Sequence, residues 1–175
     1  MAPNDGRPAC IVHWREVQEP DDCRYTGSDE LLGIGAPLGA ATGLAVMGVH
    51  HERLPPGRRT SWPHAERDLE EFVYVLEGRP QVWIDGEVHD LEPGTGVGFP
   101  KGTGTAHTFL NNTDADVRLL VIGEKSRPGC RIHYPLHPVR NAEIGARHWQ
   151  DRPARPLGPH DGLPDRLRDK GRVDP

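Results

Sequence analysis

The sequence predicts an all-β fold, an antiparallel jelly roll, and three observations carry that expectation. Gly (21) and Pro (18) make up more than a fifth of the 175 residues, a proportion suited to short strands joined by tight turns. Short runs rich in β-branched and aromatic residues recur at close spacing, with little helical periodicity between them. Asp85-Gly86 separates two such runs in QVWIDGEVHDL, the signature of a two-residue hairpin. Strands of this kind bury their faces by stacking two sheets or closing one into a barrel.

The length predicts one domain with tails: an N-terminal extension over 1–40, a β unit over 41–125 and a C-terminal extension over 126–175. Residues 9–17, ACIVHWREV, read as a strand, and 18–40 have loop composition. ATGLAVMGVHHERL, 41–54, reads as a strand ended by PPG. In EEFVYVLEG, Glu71, Val73 and Val75 share one face and Phe72, Tyr74 and Leu76 the other. Both faces are apolar, which predicts burial on both sides. The hairpin follows, then short strands and turns through LEPGTGVGFPKGTGTAHTFLNNT, then a strand VRLLVIGE over 117–124. Beyond 126 prolines are frequent, with a short helix expected within 140–148. Residues 151–175 read as an extended or disordered tail lying on the domain or on a partner subunit.

A net charge of −5 without any Lys/Arg block argues against a nucleic-acid partner. No apolar run approaches the roughly 20 residues that span a bilayer. The N-terminus lacks the pattern of a signal peptide, so the protein is expected in the cytoplasm with Cys10, Cys23 and Cys130 reduced. The Gly-rich stretch 33–39 does not sit between a strand and a helix as dinucleotide binding requires, and no nucleophile triad has useful spacing. His133 and His137 are four apart, but Pro135 and Pro138 oppose the helix that would pair them.

The chemistry concentrates in SWPHAERDLEEFVYVLEG, residues 61–78. His64 and Glu66, two apart on extended chain, face one way. Glu71 opens the next strand, and His107 enters from a neighbouring one after Gly102 and Gly104 allow a turn. Two imidazoles and two carboxylates suit a divalent transition metal.

These residues resemble the motifs of the cupins, double-stranded β-helix barrels. The first cupin motif runs Gly, five residues, His-x-His, three or four residues, Glu, six residues, Gly. Here Gly57 is followed after six residues by His64-x-Glu66, after four by Glu71 and after six by Gly78. The second motif runs Gly, five residues, Pro-x-Gly, two residues, His, three residues, Asn. Here Gly94 leads after five residues to Pro100-x-Gly102, after four to His107 and after three to Asn111. The resemblance covers roughly 44–124. It implies a jelly-roll cupin barrel with His64, Glu66, Glu71 and His107 around one divalent ion, Mn, Fe, Zn or Ni. Glu66 stands where the family usually has histidine, so it is a candidate ligand and also the candidate catalytic acid–base group. The resemblance further implies a homodimer and a small-molecule ligand or substrate. The leading expectation is a metal-dependent enzyme of isomerase, lyase or oxygenase type; the alternative is a non-catalytic binder or sensor of a small metabolite or sugar. Of the pair His50-His51, alternation sends one inward, and His51 is taken as that residue, beside the metal ligands or the substrate. Trp62 is a candidate for the mouth of the site.

Overall fold

A computed structural model of the protein describes residues 6–170. Ten strands form in order: β1 (Ile34–Ala36), β2 (Met47–Leu54), β3 (Ala65–Glu66), β4 (Glu71–Glu77), β5 (Gln81–Ile84), β6 (Glu87–Asp90), β7 (Gly96–Phe99), β8 (His107–Leu110), β9 (Val117–Glu124) and β10 (Ile132–His133). Short helices are α1 (Leu38–Ala41), α2 (Pro138–Glu143) and α3 (Asp165–Lys170). Among the described residues no helix is long and apolar enough to cross a membrane.

The strands make a jelly roll of two facing sheets. One has the order β1-β2-β9-β4-β7, the other β6-β5-β8, and β3 and β10 form a separate ribbon. Segment 57–66 runs antiparallel to β8, with Thr60 N donating to Phe109 O and His64 N to His107 O. The ladders do not close into one continuous barrel. Register defines the inner face: Val73 pairs with Val121 and Val75 with Leu119, while Val82 pairs with Phe109 on the opposing sheet. With Leu54, Phe99 and Val117 these side chains fill the space between the sheets. Burying each contributes roughly 1.5–3 kcal/mol. The β5–β6 hairpin turns at Asp85 (φ 47°) and Gly86 (φ 93°), the left-handed pair that Asp-Gly predicts.

A second core lies on the outer face of the three-stranded sheet. Trp83, Leu110, Ala65 and Ala106 point there and are covered by Trp149 and Leu136 from the C-terminal segment. The chain beyond 151 continues this cover. Trp83 Nε1 donates to His160 O at 2.8 Å, Gly158 N to Asp85 O at 2.7 Å, and Arg59 to Gly162 O at 2.8 Å.

Three expectations are corrected. Residues 9–17 form no strand. A 3₁₀ turn spans Trp14–Glu16, capped by His13 Nδ1 accepting from Arg15 N and by Glu16 accepting from His13 N. Local side-chain bonds to the backbone there outcompete the ladder. The expected loop 18–40 contains β1 and the start of α1, and the strand expected from 41 begins at Met47. β4 is buried on one face only: Phe72, Tyr74 and Leu76 are 43%, 37% and 42% exposed.

Candidate functional site

Segment 57–66 and β8 bring two histidines face to face. His64 and His107 exchange backbone hydrogen bonds of 3.2 and 2.9 Å, which sets their rings 4.9 Å apart. The imidazole of His107 lies flat on Phe99 at 3.5 Å, and its Nε2 donates to Glu71 Oε1 at 3.0 Å. Gly102 and Gly104, both at φ 75°, allow the chain to turn before His107, as the sequence predicts. Glu66, on β3, lines one narrow cavity with Glu71, His107, Phe99 and Thr105.

Glu71 also lines a larger open groove of about 410 Å³ at the end of the five-stranded sheet, beside Phe72, Met47 and Ile122. Glu70 and Glu124 are the other charged residues along it. Glu71, Phe99 and Pro100 line both the narrow cavity and the groove, while Phe72, Ile122 and Gly98, in one register row, put the groove largely on the outer face of the sheet.

The ionisable groups are driven apart by their surroundings. Burial, then the neighbouring Glu71, pushes the Glu66 carboxyl up to about 7. Burial also raises Glu71, but the His107 hydrogen bond and the imidazoles of His107, His64 and His50 outweigh it, and its carboxyl lies below the ordinary value. Burial, then His107, lowers His64 to about 4. The neutral His64 ring has its Nδ1 2.9 Å from Trp62 O. A carbonyl only accepts, so the proton sits on Nδ1 and the Nε2 lone pair is left for another partner.

The donor set matches a divalent ion in kind: two imidazoles, one with a free lone pair, and two carboxylates. His107 Nδ1 is buried without a partner. Among the described residues, however, no three His, Cys, Asp or Glu side chains close on one point.

Two further expectations change. His51 faces outward, in register with Leu120 and Tyr74, and its ring stacks on Trp14 at 4.3 Å. His50 lies on the inward row with Val121 and Val73, at an end of the sheet where it stays exposed. Trp62 is sandwiched between Tyr25 and His137, each at 4.1 Å, and donates Nε1 to Glu30. Both ring faces are thus covered. Sequence reasoning missed Glu52, which faces inward beside Leu119. Counting back in twos from the core residue Leu54 would have found Glu52 and His50 together.

Two facing sheets with ionisable side chains between them define a jelly-roll protein. The cupin domain family matches residues 50–123. Protein SchB of Streptomyces halstedii is 37% identical over 112 residues, covering 64% of this chain and 75% of that protein. Polyketide synthase CurC of Streptomyces cyaneus is 33% identical over 106 residues, 60% of this chain and 64% of that one. The crystal structure of a sugar phosphate isomerase from Silicibacter pomeroyi DSS-3 superposes with a TM-score of 0.56 at 36% identity, covering 58% of this chain and 64% of that one. The chain thus spans just under two thirds of both CurC and the isomerase. It belongs to the cupin superfamily.

Proposed function

We propose that the protein is an enzyme that moves a proton on a carbonyl-bearing, largely apolar small molecule. The observation that carries this is the meeting of Glu66, Glu71 and His107 in one narrow cavity, with an apolar groove lined in part by the same Glu71, Phe99 and Pro100 beside it. Two carboxyls held at different protonation states in one pocket supply an acid and a base at neutral pH. Glu66, near half protonation, is the group that gives or takes the proton. Glu71, ionised and paired with His107, fixes that imidazole against Phe99.

His64, Glu66, Glu71 and His107 would hold a divalent metal, which supplies Lewis-acid stabilisation of a developing oxyanion when bound. His64 contributes through Nε2, because Trp62 O keeps its other nitrogen protonated. The groove disfavours phosphorylated substrates. Its charged side chains are Glu70, Glu71 and Glu124, with no Lys or Arg among its lining residues. The reading thus lies nearer to cyclisation or isomerisation of a polyketide-like carbonyl compound than to a sugar phosphate.

Metal content of the protein reconstituted with Mn, Fe, Zn or Ni, compared with His64→Ala and His107→Ala, tests the ligand assignment. One ion per chain, lost in both variants, is expected. Turnover of polyketone and sugar phosphate panels tests the substrate class. Binding of a polyketone without turnover at any pH between 5 and 9 would make the protein a binder, and preference for the sugar phosphates would refute the reading of the groove.

A further inference from the structure

A second cavity, of about 50 Å³, lies behind the strand that carries His107. It is separate from the interior one: Thr105 lines the interior cavity, whereas Gly104 and Ala106 on either side of it line this one. About 10–15 Å³ of such space admits one water, so there is room for a tetrahedral oxyanion. Its polar lining comes from the C-terminal segment and the hairpin: His133, Arg152, Arg155 and Asp85.

Three features point to an anion. His133 is 9% exposed, its Nδ1 lies 3.0 Å from His148 Nε2, and its Nε2 is buried without a partner. Such an orphaned buried group is destabilising until a ligand pairs with it. Arg152 forms no ion pair among the described residues; its guanidinium touches Pro153 O at 3.5 Å. Arg155 uses its Nε on Asp85 Oδ2 at 2.5 Å, so its terminal amino groups remain for a ligand. The lining thus carries two guanidiniums and one carboxylate.

We propose that this cavity binds a compact oxyanion, a phosphate or sulfate group, between Arg152 and Arg155 with a hydrogen bond from His133 Nε2. Burial, then Arg152 and His148, holds the His133 ring down to about 4, so it is neutral at physiological pH. An anion selects the tautomer in which His148 Nε2–H donates to His133 Nδ1 across their 3.0 Å contact and the His133 proton sits on Nε2. The site takes a guanidinium fork rather than a metal, and its chemistry is independent of the glutamates around His107.

The test is calorimetric titration of the full chain with inorganic phosphate in chloride buffer at constant ionic strength, with sulfate and acetate as parallel arms. Saturable binding of one phosphate per chain is expected, with sulfate competing, acetate weaker, and the His133 ring signals moving in ¹⁵N NMR. Arg152→Gln should weaken binding at least tenfold, and Arg152→Lys less. Arg152 lies near the surface, so these variants test the site even if His133→Asn fails to fold. Unsaturable binding, or equal affinity in Arg152→Gln, would mean an adventitious ion only and overturn the proposal. Binding that leaves the His133 signals unmoved would place the anion elsewhere and overturn it as well.

Discussion

Substituting Glu52→Gln should reverse the usual cost of changing a buried polar residue, and do so only at high pH. Glu52 faces inward on β2, level with Leu119 and Val75. Its carboxyl occupies the space that a side chain at Gly33 would fill: a Cβ there would come within 1.9 Å of Oε1. Burial, then Glu71 and Glu19, raises its pKa from 4.5 to about 8. At about 1.4 kcal/mol per pKa unit, that difference corresponds to roughly 5 kcal/mol. The side chain still touches solvent, so screening reduces the figure to about 2–3 kcal/mol. Above 4.5 the unfolded chain releases this proton, while the folded chain keeps it until about 8. The folded state therefore holds more protons in that window, and stability falls as pH rises through it. Glutamine has nothing to titrate. Urea unfolding should find the variant close to wild type at about pH 4.5 and more stable by about 2–3 kcal/mol at about pH 8, with unchanged m-values. An offset that is the same at both pH values would refute the reasoning.

Two further outcomes follow from buried polar contacts. Arg59, 1% exposed, grips Glu30 with two bonds of 2.6 and 2.7 Å; Arg59→Met should cost about 3–5 kcal/mol in urea unfolding, and adding Glu30→Gln should restore part of it, since an unpaired buried charge is the larger penalty. Asp85 combines a left-handed backbone with an Oδ1 that accepts from Ala106 N at 2.8 Å and an Oδ2 that pairs with Arg155; Asp85→Ala should lose about 2 kcal/mol and Asp85→Gly about half of that, because both lose these side-chain contacts but only glycine keeps the left-handed turn without strain, and equal melting temperatures for the two variants would contradict this.

The legible parts of the fold were those governed by local pattern. Alternation in EFVYVLE and VRLLVIGE and the Asp85-Gly86 turn each specify their geometry within a few residues, and all form as read. Distant contacts decided the rest. Apolar residues on both faces of β4 suggested double burial, but the outer face leaves Phe72 and Tyr74 more than a third exposed. His51 is buried on the outer face because Trp14, far upstream, folds over it. The motif residues at the site were visible because their spacing reflects strand pairing. That pairing brings His64 against His107, and Glu71 meets His107 directly. Glu52 carries no motif, and its role as an inward carboxyl emerges only from register with Leu119.

The cover over Trp83 has a practical consequence. The family match ends at 123, yet Trp83 and Leu110 are both 0% exposed because later residues roof the sheet. A fragment trimmed after residue 125 would retain every residue of the candidate centre and still present a greasy plane of Trp83, Leu110, Ala65 and Ala106 to water. Such a patch drives self-association. The shortest autonomous piece of this protein therefore extends at least to Gly162, whose carbonyl anchors Arg59. A protease that clipped the Pro-rich arm would bare this patch and leave the residues of the candidate centre in place.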